Sequence, residues 1–245
     1  MIIFISFCLL IIWTYYSERS LPRHDAWKDS NRWIDVVGLF MQGIVVPALQ
    51  VTLIFFLLQI AMPSARSTVS IHPVLAFLVN FIVVDYLYYW NHRLLHTKAV
   101  WDWHAVHHTA ERMDVWVTSR NTLWSPFLIL YIWINGLLIF LLKDPMPYIL
   151  SASLTAALDL WRHSKLRPQE GSFAKKLFLL GVVTPHEHTW HHSSNRPNCN
   201  FGANLTWWDR LHGTYYSPEA VPAHCGIALQ INFWRKLLYP FKQGT

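Results

Sequence analysis

Apolar residues in this chain gather in five runs, near positions 1–16, 34–61, 73–90, 121–142 and 146–160, with polar segments between them. A helix rises about 1.5 Å per residue and needs roughly 20 apolar residues to cross a bilayer core. The second, third and fourth runs meet that length and predict spanning helices. The first and fifth are short. MIIFISFCLLIIW has no basic leader, and the following WTYYSERS offers no small-residue cleavage site, so the first run is expected to be an uncleaved anchor. Pro145 and Pro147 make a tight entry to the fifth, which is expected as a re-entrant or partly inserted helix. The predicted fold class is therefore an all-α integral membrane protein, a bundle of about four to five membrane helices with a cytosolic helical cap.

Composition agrees with that pattern. The 245 residues are 53% hydrophobic and only 14% charged, and the 14 Trp and 10 Tyr suit rings that settle at bilayer interfaces. If all five runs cross, the segments 17–33, 91–120 and those beyond 160 share one side. They hold 18 of the 20 Lys and Arg, leaving Arg66 and Lys143 opposite, which places the shared side in the cytoplasm. The net charge of +6 follows those loops, as expected beside anionic lipid, and nucleic acid is not an expected partner. Cys8, Cys199 and Cys225 show no CxxC spacing and predict no disulfide framework. No solenoid-period repeat or low-complexity linker divides the chain.

Chemistry is concentrated in histidine. His92/His96, His104/His107/His108, His163 and His188/His191/His192 each follow a membrane-length apolar stretch. Offsets of three and four put imidazoles on one face of a helix, and neutral imidazole is the commonest protein ligand for iron, zinc and copper. Each HxxHH supplies two same-face ligands and a neighbour rotated toward a second metal. His186 adds a possible tenth imidazole. His186-Glu187 starts an HExxH zinc-protease pattern, but Trp190 stands where its second His should be. His24, His72, His212 and His224 lack ligand spacing. Two acids lie near the clusters. Asp85 is two turns before His92 and has two candidate roles, accepting the N–H of a metal-bound imidazole, which is the expected one, or pairing with a basic residue such as Arg93. Asp159, four residues before His163, could ligate or orient it. Arg120, just before the fourth run, reads as an interface anchor.

So many imidazoles exceed the needs of one zinc and suit two metals with open positions. Iron and zinc both fit nitrogen ligands. An iron pair with O2 could oxidise an unactivated C–H bond of a lipid rising between the helices. A zinc pair would serve a membrane hydrolase instead. A metal or haem carrier is a third reading, disfavoured by the scarcity of ionisable groups in the apolar runs. The chain has no GxSxG elbow and no GxGxxG loop, so an oxygenase here would draw electrons from a separate donor.

The stretches DYLYYWNHRLLH, WDWHAVHH, RHSKLRP, TPHEHTWHHS and NCNFGANLTWWDRLHGTYYSP, in this order, resemble the fatty acid hydroxylase/sterol desaturase superfamily of membrane non-haem di-iron enzymes, most of all its short bacterial-type members. The resemblance implies that His92, His96, His104, His107, His108, His163, His188, His191 and His192 hold two Fe ions, with Zn a possible substitute. It implies O2 as cosubstrate and hydroxylation or desaturation of a membrane lipid. The electron donor would be of ferredoxin, cytochrome b5 or reductase type. Asn200, Phe201, Gly202, Trp208, Asp209 and Gly213 match a C-terminal signature expected to close the cap. The implied organisation is N-terminal membrane helices over 1–72, a catalytic module over 73–218 and a C-terminal tail over 219–245. A bacterial inner membrane is expected in preference to the endoplasmic reticulum.

Overall fold

The computed structural model describes residues 2–17, 31–167, 173–196 and 198–241, and among them there is no β-strand. Helix α1 (Ile2–Ser17) packs along α6 (Met146–His163). Helices α2 (Arg32–Ala61) and α3 (Pro73–Leu95) are long and apolar enough to cross a membrane. Much of their apolar surface points outward, including Phe56, Ile60, Leu75 and Val83. Then come α4 (Ser125–Leu128), α5 (Leu130–Leu141), α7 (Phe173–Leu179), α8 (Pro185–His191), α9 (Trp207–Leu211) and α10 (Phe233–Leu238).

Both long helices contain wide π turns. In α2 these are Met41–Val45 and Gln50–Ile54, on either side of Pro47, whose ring and missing N–H disturb an α-helical ladder. In α3 the widened stretch is Val79–Val84. Residues five apart point in different directions on an α-helix but share a side where bonds run i to i+5. Asn80 and Asp85 are thereby both buried.

The fourth apolar run differs from expectation. It is not one spanning helix but α4 and α5, of 4 and 12 residues, separated by an extended Ile129. Twelve residues rise only about 18 Å, short of a bilayer core. Asn91 of α3 stabilises the break, donating from Nδ2 to the Leu128 carbonyl and accepting the Leu130 N–H, each at 3.0 Å. Irregular backbone within an apolar run persists where protein satisfies it and a cavity lies beside it. Ile129 and Pro126 do line a cavity, described below.

Beyond α3 the chain makes single 3-10 turns at Trp101–Trp103, His107–Thr109 and Val115–Ser119. The first HxxHH therefore lies on consecutive tight turns and not on the helix face that its spacing predicts. The Val115–Ser119 turn lies against α2, where Gly38 allows the approach. A Cβ there would collide with the Ser119 carbonyl. Within 219–245, expected as a tail, Pro222, Lys236 and Leu237 are buried. Leu237 joins Ile34 and Val106 in one apolar cluster, and Lys236 donates to Asn31.

Candidate metal centre

The fold brings the nine histidines into two groups. His92, His96, His104, His108 and His191 form one, and His107, His163, His188 and His192 the other. Within each group the candidate ligand nitrogens lie within 4.8 Å of one another. Eight of the nine are buried. Each HxxHH divides in the same way: positions one and five join one group and position four joins the other. His186 is left out, its Nε2 meeting the Pro218 carbonyl at 2.7 Å. His24 lies outside the described residues.

Backbone carbonyls fix the rings. The Nδ1 of His92, His107, His163 and His191 lies against the carbonyls of Phe201, Arg120, Asp159 and Cys199, at 2.9, 3.2, 2.7 and 2.8 Å. A ring donating from Nδ1 to a carbonyl keeps its Nε2 lone pair free. Two of those Nε2 atoms, of His107 and His163, face each other at 3.4 Å, while His188 Nε2 lies 2.9 Å from that of His163 and His104 Nε2 3.2 Å from that of His92. Facing lone pairs repel unless a cation lies between them. Buried nitrogens of His108, His188, His191 and His192 have no hydrogen-bond partner among the described residues. This donor set fits metal ions.

Burial keeps the imidazoles neutral. Desolvation, followed by repulsion from neighbouring imidazoles, holds His104, His107, His108, His188 and His192 well below the ordinary range. Desolvation likewise pushes His191 down to about 4. Metal binding requires neutral rings, so no proton must be removed near neutral pH.

Each HxxHH has a different support. Behind the first, Arg120 is 1% exposed and pairs with the fully buried Asp35 of α2, through Nε at 2.7 Å and Nη2 at 2.9 Å. Arg32 bridges Asp35 to Asp114. Arg120 is thus an internal brace whose carbonyl orients His107, which corrects its reading as an interface anchor. The missed signal was Asp35, an acid at the start of an apolar run. Behind the second, Thr184 caps α8 and Glu187 answers it, accepting the Thr184 N–H at 3.1 Å while Ser217 holds its other oxygen. The glutamate of the failed HExxH pattern has a structural task.

Asp85 accepts no imidazole N–H among the described contacts, contrary to expectation. Its carboxylate takes the backbone N–H of Asn204 and Leu205 and the Trp208 indole, at 2.7, 3.1 and 2.7 Å. The π turn points Asp85 at this loop, so it fastens the cap to α3. Asp159 pairs with Arg162 at 2.6 Å and approaches His163 Nδ1 at 3.2 Å, beside the ring and outside both nitrogen groups. In the C-terminal signature, Asp209 accepts the Phe201 and Gly202 N–H groups, and Asn200 donates to the Glu187 and Tyr216 carbonyls. Sequence gave no sign of the strap at 225–227. There the Gly226 N–H bonds the His192 carbonyl at 3.0 Å and the Ile227 N–H bonds the His108 carbonyl at 2.8 Å.

A cavity of about 140 Å³ reaches both groups. His92 and His104 line it from one, His107, His163 and His188 from the other, and Tyr88, Ile129 and Ile132 supply an aromatic and aliphatic wall.

A helical protein with two adjoining buried imidazole clusters opening on one small cavity is, by fold and site, a histidine-rich candidate metalloprotein. Residues 77–214, more than half the chain, match the fatty acid hydroxylase family, and the chain belongs to it. It is 28% identical to the ornithine lipid hydroxylase OlsE of Rhizobium tropici over 172 residues, 67% of this chain and 50% of that protein. Alkylglycerol monooxygenase of Danio rerio is 31% identical over 170 residues, 66% of this chain and 36% of the relative. The Homo sapiens alkylglycerol monooxygenase is 27% identical over 164 residues, 66% and 35%. The chain thus spans half or less of the length of these curated relatives. No solved structure matches it.

Proposed function

We propose that this chain is the catalytic core of a membrane-bound di-iron lipid hydroxylase that uses O2 and electrons from a separate donor. The observation that carries this reading is the division of nine imidazoles into groups of five and four on one cavity. Two nitrogen-rich groups suit a pair of irons better than a lone zinc, which takes three or four ligands. Iron, when bound, would supply the activation of O2 that oxidation of an unactivated C–H bond needs. The relatives' names, a lipid hydroxylase and a monooxygenase, favour hydroxylation over desaturation. The hydrolase reading is weakened because Glu187, the natural general base beside the histidines, is committed to capping α8.

In this reading the chain's own groups position and exclude. The nine histidines hold the metals. The carbonyls of Phe201, Arg120, Asp159 and Cys199 set the ring orientations, and the Asp159–Arg162 pair closes the polar wall. Tyr88, Ile129 and Ile132 seat the lipid chain and keep bulk water away. Residues 73–218 form the catalytic module of a multi-pass protein, with α2 and α3 crossing and the histidines on the cytoplasmic side of a bacterial inner membrane. The lopsided Lys and Arg distribution supports that sidedness.

The test is untargeted lipid mass spectrometry on cells expressing wild type or His107→Ala under ¹⁸O2, with iron and zinc measured in the purified proteins. A wild-type-only lipid carrying one ¹⁸O, made by an iron-loaded protein, is the expected result. An unlabelled lipid lacking two hydrogens would make the enzyme a desaturase. Zinc loading with turnover indifferent to O2 would overturn the reading.

A further inference from the structure

Behind the site cavity lies a second chamber, and its chemistry is unlike that of a simple tail channel. Its volume is about 170 Å³, and it shares Tyr88, Ile129, Asp159 and Arg162 with the site cavity. Its other walls come from the middle of the bundle: Asn80 on α3, Tyr131 and Asn135 on α5, and Thr155 on α6. These residues lie on the membrane side of the histidines, where a channel for an alkyl chain should be aliphatic. Part of the polar lining is internally satisfied. Asn135 Oδ1 accepts from Asn80 Nδ2 at 3.2 Å and from the Tyr148 hydroxyl at 2.7 Å, and Thr155 accepts from Asn204 at 2.9 Å. Two atoms are not. Asn80 Oδ1, on a side chain of a residue 1% exposed, and the Tyr131 hydroxyl have no hydrogen-bond partner among the described residues. One is an acceptor and the other a donor, and both are carried by residues that line this chamber.

We propose that the chamber is a second substrate subsite that takes a hydroxyl or secondary amide of the lipid, selecting lipids with such a group on the membrane side of the oxidised carbon. The inference rests on the lipid-oxygenase reading above and narrows its substrate class. A hydroxyl accepts from the Tyr131 O–H and donates to Asn80 Oδ1, and a secondary amide does the same through its C=O and N–H. A plain alkyl chain filling the same volume leaves both protein groups as they are, buried and unpaired, so each bond made by a polar ligand should favour that ligand by roughly ten-fold in affinity. Tyr88 connects the two spaces physically. Its ring stacks on Tyr131 at 4.6 Å between centroids and packs against His92 at 5.4 Å.

The experiment measures binding and needs no turnover. The full chain, purified and reconstituted in lipid nanodiscs, is titrated with 1-dodecanol, N-methyldodecanamide and dodecane, and affinity is read from the shift of the thermal unfolding midpoint. The alcohol and the amide are expected to bind at least roughly ten-fold more tightly than the hydrocarbon. Tyr131→Phe, which removes only the hydroxyl, should cut that preference by about five- to ten-fold, and Asn80→Ser provides the same test if the first variant does not fold. Equal binding of the three probes by wild type, or a preference unchanged in the variants, would overturn the subsite. A lost preference alongside ¹⁸O transfer to lipid defeats the subsite alone. An intact preference with no lipid oxidation defeats the oxygenase reading alone.

Discussion

The sequence HxxHH occurs twice, at His104–His108 and His188–His192, and the two copies are built differently. The first lies on 3-10 turns with a buried ion-pair network behind it. The second lies largely on the capped helix α8. Yet both send positions one and five to one group and position four to the other. They do so in opposite senses, so His107 joins the group dominated by the second copy and His191 the group dominated by the first. Spacing therefore decides how ligands are shared, since any tight right-handed turn separates i+3 from i+4. Local structure decides what must hold them in place.

The two crossing histidines should be the most sensitive points. His107→Ala is expected to lower metal content and abolish lipid oxidation while the protein still inserts, and His191→Ala should do the same from the other side, as metal analysis and lipid mass spectrometry will show. Full turnover with normal metal content in either would break the equivalence. Acid comes next, because it acts on many rings together. The folded His191 value of about 4 lies below the ordinary imidazole value, so an unfolded chain binds more protons than the folded one in between. Metal-free protein should hold this share of its stability above about pH 6.5 and lose it progressively toward pH 4, in thermal unfolding scans.

The supports separate the copies further. Arg120→Ala removes the nearer of the two guanidinium partners of the buried Asp35, leaving Arg32 alone, and should cost about 3–5 kcal/mol in denaturant unfolding. Asp85→Asn replaces a triply accepting carboxylate with an amide and should cost about 1–3 kcal/mol, with metal content unchanged. Thr184→Ala removes only a helix cap and should cost about 1 kcal/mol. If Arg120→Ala proved as mild as Thr184→Ala, the contrast between a charge-braced and a cap-braced copy would fail.

How much of this could be read beforehand follows the distance over which each feature is encoded. The histidine offsets are local, and all nine expected positions converge. The long runs of α2 and α3 are likewise plain from length alone. The break at Ile129 was hidden because an apolar run does not reveal that Asn91, 37 residues before Leu128, will satisfy its backbone. Arg120 was misplaced for the same reason, its partner Asp35 lying 85 residues earlier. Asp85 was expected to face an imidazole, and it holds the loop at 204–208 instead. Periodicity placed it toward His92, because it assumed an α-helical turn where the chain makes a π turn. The strap at 225–227 uses backbone N–H groups, which any sequence possesses.

The crossed sharing of ligands also has a meaning in time. A chain synthesised as far as His108 already contains four of the five residues of one group, but only His107 of the other. His163 follows 55 residues later, and the last three histidines, His188, His191 and His192, arrive almost together. The first group can thus begin to gather while most of the second is still unmade, and both reach completion within one turn of α8. In the di-iron reading proposed above, a metal captured early would hold the His92–His108 segment ready as a template on which the later histidines close, and the pair would fill from the beginning of the chain toward its end.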